Sequence, residues 1–256
     1  MKYSLIFMVS VIVWKVSANL SKEAKKRCES YTSIFENDSI DLQYAYVEDI
    51  HDGRGYTSGR AGFTTGTGDA ILVVKKYTEM KADNPLAKFI TELERLAKKG
   101  SGDVSRLGGY PSAWKEAAKD PKFREVQDEV NDDLYYRPAM VRAKKAGVKS
   151  ATGMCALYDC VIQHGDGDDG DSLGAIIKRT ETSEGGPVKD DEKKWLKTFL
   201  KTRRYDLQHP YNRDTEEEWK NSVDRVDAMV KMIDEGNMEM KGPIHVKTPN
   251  HDLTIP

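Results

Sequence analysis

The 256-residue sequence has few of the residues on which metal and redox proteins depend. It contains five histidines and three cysteines, which are Cys28, Cys155 and Cys160. No CxxC pair, no HExxH motif and no His/Cys cluster at metal-binding spacing is present. The sequence therefore predicts no metal site.

The odd number of cysteines leaves at least one thiol outside any intramolecular disulfide. Cys155 and Cys160 are five residues apart in a segment with a helical pattern, so they point to different faces and are not expected to pair. Two interpretations stay open, namely buried thiols that pack as small hydrophobes or one disulfide.

A long apolar run of membrane-spanning length is also missing. Leu5 to Trp14 is nearly all apolar, follows the positive charge of Lys2, and leads to a small-residue cleavage site that ends at Ala18. This pattern predicts a secretory signal over residues 1–18, cleaved after Ala18, because the apolar run is too short to span a bilayer comfortably. Lys15 favours the alternative, a retained anchor.

Repeats and long linkers are lacking as well, and residues 19–256 are long enough for one sizeable domain or for two lobes that share a core. Apolar residues at helical spacing predict most of the elements. The predicted helices are Leu20 to Asn37, Asn84 to Gly100, Trp114 to Asn131, Met154 to Gln163, Asp190 to Arg204 and Glu216 to Glu235. Alternation at Leu42, Tyr44 and Tyr46, followed by glycine-bearing turns, predicts a small antiparallel sheet of two or three strands within Leu42 to Gly68. The expected fold class is α+β, mainly α.

One stretch, "DGRGYTSGRAGFTTGTGD" from Asp52 to Asp69, contains six glycines. Glycines let a ligand approach the backbone closely, and the hydroxyls of Thr57 and Ser58 could hold a water. The alternative is that the glycines only make hairpin turns and that Asp52 caps one of them.

Glu36 lies at the carboxyl end of the first predicted helix, where the helix dipole disfavours an ionised carboxylate. A protonated Glu36 and an ionised Asp52 with a water beside it would be the parts of an inverting glycosidase, whose carboxyls are about 6.5–9.5 Å apart. Spacing alone does not choose Asp52 over Glu48 or Asp49, and Glu36 could also be a solvated residue at a frayed helix end.

Three charged residues interrupt apolar helix faces, and buried charges need partners. Asp159 lies within the apolar run from Met154 to Ile162, Arg203 extends the stripe of Trp195 and Phe199, and Arg225 is at the edge of an apolar helix face. The pattern predicts an ion-pair network of Asp159, Arg203 and Arg225. Arginines with solvated head groups are the alternative.

The run "IFENDSIDLQYAYVEDIHDGRGYTSGRAGFTTGTGD" closely resembles the signature region of glycoside hydrolase family 46, the endo-acting chitosanases. The matching positions are Glu36-Asn37, Tyr46, Asp52 to Thr57, Gly62 and Asp69. The segments "YYRPAM", "ALYDCVIQHGDGDDGDSLGAII", "WLKTFLKTR" and "GNMEMKGPIHV" continue the likeness in family order, so it covers nearly all of the chain after residue 18.

The resemblance implies a secreted hydrolase that cleaves β-1,4 bonds between glucosamine units of chitosan with inversion. Glu36 would be the general acid and Asp52 the general base, while Thr57 would help to position the attacking water. The substrate-binding residues would be Tyr46, Arg54 and Asp69, and the network of Asp159, Arg203 and Arg225 would lie behind Glu36. The implied fold is the lysozyme-like one, with a cleft between two lobes.

The same resemblance implies chitosan or partially deacetylated chitin as the partner, and this chemistry needs no cofactor. No nucleic acid, no membrane in the mature form and a monomer are expected. One acidic substrate-binding residue of the family has no clear match and is expected among Glu216 to Glu218. The acidic loop after His164 fails the EF-hand pattern, so His164 is expected to be structural or to line a subsite. A binding protein without turnover and a hydrolase of acetylated polymer are the alternatives.

Overall fold

A computed structural model of the chain describes residues 19–168, 170–211, 213 and 216–256. The predicted secretory signal lies outside the described residues. The helices are α1 (Lys22–Asn37), α2 (Asp69–Met80), α3 (Ile90–Lys99), α4 (Tyr110–Ala117), α5 (Pro121–Asn131), α6 (Arg137–Ala146), α7 (Ala151–His164), α8 (Leu173–Glu184), α9 (Glu192–Gln208), α10 (Glu216–Asn221) and α11 (Val223–Asp234). A 3-10 turn (Ala87–Phe89) precedes α3, and a π-helical turn (Asp132–Tyr136) joins α5 to α6.

The strands form two small antiparallel sheets. The first has the order β1 (Val47–Asp49), β2 (Tyr56–Ser58) and β3 (Phe63–Thr64), and its register pairs Thr57 with Glu48 on one side and with Thr64 on the other. The second is a hairpin of β4 (Ile244–Lys247) and β5 (Asp252–Ile255) near the end of the chain.

Several predicted boundaries are wrong for identifiable reasons. The alternation at Leu42, Tyr44 and Tyr46 precedes the sheet, which begins at Val47; Tyr44 instead donates a hydrogen bond to Asp128, and its carbonyl accepts one from Trp114.

The predicted helix from Trp114 to Asn131 is two helices, because Asp120 caps α5 through the Lys122 amide and Pro121 has no amide hydrogen to continue α4. The helix predicted from Glu216 is divided at Ser222.

Buried apolar side chains form two separate cores. One is built from α1, α6, α7, α8, α9, α11 and the β4–β5 hairpin, with Tyr31, Leu157 and Phe199 among its fully buried members. The other is built from the β1–β3 sheet and α2 to α5, with Phe63, Tyr77 and Trp114 fully buried. The chain is therefore two-lobed, as predicted.

A disulfide joins Cys28 of α1 to Cys155 of α7, with 5.5 Å between the two Cα atoms. Cys160 is a buried free thiol, so the expectation that it does not pair with Cys155 is confirmed. Within the described ranges, each helix lacks the length or the apolar character needed to cross a bilayer.

Candidate active site

A groove of about 750 Å³ runs between the two cores, and we call it the central groove. Its walls include the end of α1, the β1–β3 sheet, the start of α2, and α10 with the start of α11. Of the residues predicted for a site, the groove is lined by Glu36, Tyr46, Arg54, Thr57, Asp69 and Arg225.

Glu36 occupies the last turn of α1, a helix that begins at the Ser21 cap and ends where Asp38 adopts a left-handed conformation. Its side chain is 41% exposed and faces the groove. Nη1 of Arg225 donates a hydrogen bond of 2.7 Å to Glu36 Oε1, so one carboxyl oxygen is fixed by a cation.

Behind Glu36, the three charges predicted from the helix patterns meet at one place. Asp159 is fully buried, and its carboxylate accepts hydrogen bonds of 2.7 Å from both Arg203 Nη1 and Arg225 Nη2. The hydroxyl of Thr32 donates to the same carboxylate at 3.1 Å. Burial alone would raise the pKa of Asp159, but the two guanidinium groups more than offset this and hold the pKa well below its usual range.

Asp52 follows β1, and its carboxylate is turned towards Arg54. The Arg54 amide donates to Asp52 Oδ1 at 3.0 Å, and Arg54 Nε donates to Oδ2 at 2.7 Å. Partial burial raises the pKa of Asp52, whereas these hydrogen bonds lower it, and the net direction is downward. Asp52 is not itself among the residues that line the central groove; its partner Arg54 is.

Thr57 lies in the middle of the sheet with its side chain in the groove. Its hydroxyl oxygen is buried and has no hydrogen-bond partner in the part of the chain that the structure describes. A buried hydroxyl without a protein partner is suited to bind a water or a substrate hydroxyl. The Tyr46 hydroxyl donates a hydrogen bond of 3.1 Å to Oε2 of the neighbouring Glu48.

Asp69 forms hydrogen bonds within its own loop and also lines the groove. Its Oδ1 accepts hydrogen bonds from the Thr64 amide and the Thr67 hydroxyl, both at 2.8 Å, which fixes the loop before α2. The residue also lines the groove, so its contacts within the loop are compatible with a substrate contact; the N-cap of α2 is the preceding Gly68.

A second charged cluster lies in the wall of the groove, and the sequence pattern did not predict it. The Arg60 side chain is almost completely buried and forms ion pairs with Glu29 of α1 at 3.0 Å and with Asp128 of α5. It thereby links the two lobes. Arg60 lies in the glycine-rich loop after β2, where no periodic pattern signals burial.

Glu218 and Trp219 of α10 also line the groove, opposite the sheet. Glu216, in contrast, is paired with Arg213 at 3.1 Å and Lys220 at 2.6 Å. Within the acidic segment Glu216 to Glu218, Glu218 is therefore the residue that the groove offers to a ligand.

His164 has a structural environment. Burial and the Arg203 guanidinium hold its pKa well below the ordinary value, and the neutral ring accepts a hydrogen bond from Arg203 Nε at 3.2 Å. In the loop that follows, Asp166 and Asp168 bind Arg142 at 2.8 and 2.6 Å.

Comparisons with known proteins agree with this geometry. The sequence model of glycosyl hydrolase family 46 matches residues 30–244. A chitosanase of Bacillus subtilis (strain 168) is 52% identical over 248 residues, which cover 96% of this chain and 90% of that protein.

Two solved structures are also similar to this chain over most of its length. Native chitosanase from Bacillus subtilis MY002 has a TM-score of 0.86 and 53% identity, with 93% of this chain and 100% of that chain covered. A mutant of the enzyme, complexed with 6 GlcN, has a TM-score of 0.85 and 52% identity, with the same coverage. The predicted lysozyme-like architecture is confirmed, and the chain belongs to glycosyl hydrolase family 46.

Proposed function

We propose that this chain is an inverting endo-chitosanase that hydrolyses β-1,4 bonds between glucosamine units. The observation that carries the proposal is the acidic central groove around Glu36. Asp69 and Glu218 line the groove, whereas each lining cation is paired with a carboxylate: the exposed Arg54 with Asp52, and the buried Arg60 and Arg225 with Glu29 and Glu36. Chitosan carries ammonium groups in mild acid, whereas the acetylated amines of chitin are neutral. A groove with carboxylates therefore suits chitosan better than it suits chitin. The similar enzyme complexed with 6 GlcN supports the same substrate class.

In the proposed reaction, the Glu36 carboxyl donates its proton to the glycosidic oxygen as the bond from that oxygen to C1 breaks. Asp52 removes a proton from a water, and this water attacks C1 from the opposite face of the sugar. The free hydroxyl of Thr57 holds the water in line. Attack from the opposite face inverts the configuration at C1, and no cofactor is required.

The network of Asp159, Arg203 and Arg225 acts as support for the acid. Arg225 contacts Glu36 directly, and Asp159 fixes Arg225 from behind through two hydrogen bonds. A buried, fully paired cluster restricts the Glu36 side chain to few orientations, which favours proton donation in one direction. Tyr46, Arg54 and Asp69 would hold the sugars on either side of the scissile bond.

We further propose that residues 1–18 are a secretory signal and that residues 19–256 act as a monomeric, extracellular catalytic domain. A polymeric substrate lies outside the cell, so the secretory signal and the extracellular location agree with the proposed activity. The sequence pattern of a charged start, an apolar core and a small-residue cleavage site supports the signal.

The direct experiment measures reducing ends released from highly deacetylated chitosan, from chitin and from bacterial cell wall. We expect release from chitosan, and Glu36→Gln should lower the rate by about 100- to 10,000-fold because an amide has no acidic proton. Release from chitin or wall alone would identify a hydrolase of acetylated polymer. Binding without release would identify a carbohydrate-binding protein.

The identity of the base is tested by three amide variants of the same segment. Asp52→Asn should abolish turnover, whereas Glu48→Gln and Asp49→Asn should keep most of it. Loss of turnover in Glu48→Gln with an active Asp52→Asn would move the base to Glu48.

A further inference from the structure

The turn between β4 and β5 packs against the segments that carry Glu36 and Arg225. The match to the family's sequence model ends at residue 244, so this turn lies beyond the matched segment. Its central side chain is His251, which is only 11% exposed and has a carboxylate on each side of its ring.

Both ring nitrogens of His251 face carboxylate oxygens. Nε2 is 3.0 Å from Asp38 Oδ1, and Nδ1 is 3.3 Å from Asp224 Oδ2. Two more residues of the turn hold Asp224 in place, since Thr248 Oγ1 and Asn250 Nδ2 donate to its Oδ2 at 3.0 and 3.3 Å. The described charged groups in contact with the ring are thus Asp38 and Asp224.

The two carboxylates belong to the two elements that meet at the catalytic acid. Asp38 caps α1 two residues after Glu36, and Asp224 immediately precedes Arg225 in α11. The edge of the His251 ring also contacts Phe35, with 4.9 Å between ring centroids, and the Arg225 guanidinium lies 5.6 Å from the centroid of the same Phe35 ring. His251 therefore spans the interface that the bond from Arg225 to Glu36 crosses.

We propose that His251 is a positioning residue for the catalytic acid. Its ring bridges Asp38 and Asp224 and so fixes the end of α1 against the start of α11. The Thr248 hydroxyl, 3.2 Å from Nδ1, holds the ring on the Asp224 side. The inference rests on the proposed role of Glu36.

The test compares two histidines of the same hairpin. His251→Gln keeps a polar side chain but removes the ring that faces both carboxylates, and His245→Gln removes an exposed histidine whose ring binds Asp252 within the hairpin at 2.6 Å. On soluble chitosan we expect His251→Gln to lower kcat by about tenfold with KM nearly unchanged, because a small displacement of the acid affects the chemical step. His245→Gln should stay within about twofold of the parent.

The balance between kcat and stability separates positioning from a merely structural role. Positioning lowers kcat while KM and the melting temperature change little, whereas a structural role lowers the melting temperature and leaves kcat unchanged. Asp38→Asn should lower kcat as well, and the double variant of Asp38→Asn and His251→Gln should be no slower than the slower single one.

Additive losses in the double variant, or a His251→Gln enzyme with a lower melting temperature but an unchanged kcat, would overturn the inference. An inactive parent would instead refute the proposed function.

Discussion

Asp52 and Arg54 form a closely coupled pair of side chains beside the groove. Two hydrogen bonds from Arg54 hold the pKa of Asp52 below its usual range, so the proposed base stays ionised in mild acid. We predict that Arg54→Ala raises this pKa, and the acidic limb of the kcat/KM profile then moves to higher pH.

Arg95→Ala is the control, because Arg95 forms an ion pair of similar geometry with Glu92 outside the groove. An acidic limb that does not move in Arg54→Ala would exclude Asp52 as the base that sets it.

The Thr57 hydroxyl provides a second test, in which a single polar group is removed. Its buried hydroxyl has no protein partner among the described residues, so Thr57→Val should leave stability unchanged or slightly higher. If the hydroxyl positions the attacking water, kcat should fall by about 10- to 100-fold.

Thr78→Val is expected to behave in the opposite way. The Thr78 hydroxyl bonds to the Val74 carbonyl and to Asn84 away from the groove, so its loss should lower the melting temperature and preserve kcat. A fully active Thr57→Val would contradict the assigned role.

At the scale of elements, α7, α9 and α11 bring Asp159, Arg203 and Arg225 together behind α1. Removal of one partner from a buried ion pair leaves an uncompensated charge, so Arg203→Ala should lower the free energy of unfolding by about 3–5 kcal/mol and reduce turnover. The neighbouring Arg204 is a matched control, since it pairs with Asp227 at the surface and Arg204→Ala should be nearly neutral. An unchanged melting temperature in Arg203→Ala would count against the network.

The sequence was sufficient to predict that these three charged side chains pair with one another, because each interrupts an apolar helix face. Other features carried no such pattern. α6 buries Ala139, Ala143 and Ala146, whose small side chains give a weak periodic signal. The strands β1 to β3 are only two or three residues long, and Arg60 is buried by a loop rather than by a helix face. Buried side chains of β4 alternate with exposed ones, which is a strand signal that the interpretation did not use.

At the scale of the whole molecule, the bond between Cys28 and Cys155 crosses 127 positions of sequence within the larger core. A cross-link of this span restricts the unfolded chain, so reduction should lower the free energy of unfolding by about 2–5 kcal/mol. The measurement is thermal unfolding with and without a thiol reductant, and a variant with alanine at both positions should be insensitive to the reductant. If the reductant leaves the melting temperature of the parent protein unchanged, the result would contradict the presence of the disulfide.

Acid should also destabilise the molecule through Asp159. Its pKa is lower in the folded chain than in the unfolded chain, so its contribution is present above the ordinary aspartate range and is lost as the pH falls below that range. The stability difference between the parent and Asp159→Asn should therefore shrink in strong acid. A difference that is constant with pH would show that Asp159 is not an ionised partner of the arginines.

The two lobes make one reaction possible because the groove between them places Glu36 on one wall and the β1–β3 sheet, with Thr57, on the other. In the proposed mechanism, water activated from the sheet side attacks the sugar face opposite the departing oxygen. The most direct measurement is proton NMR of the product in the first minutes of hydrolysis of a glucosamine hexamer. The account predicts that the α-anomer forms first and then equilibrates, and initial formation of the β-anomer would contradict it.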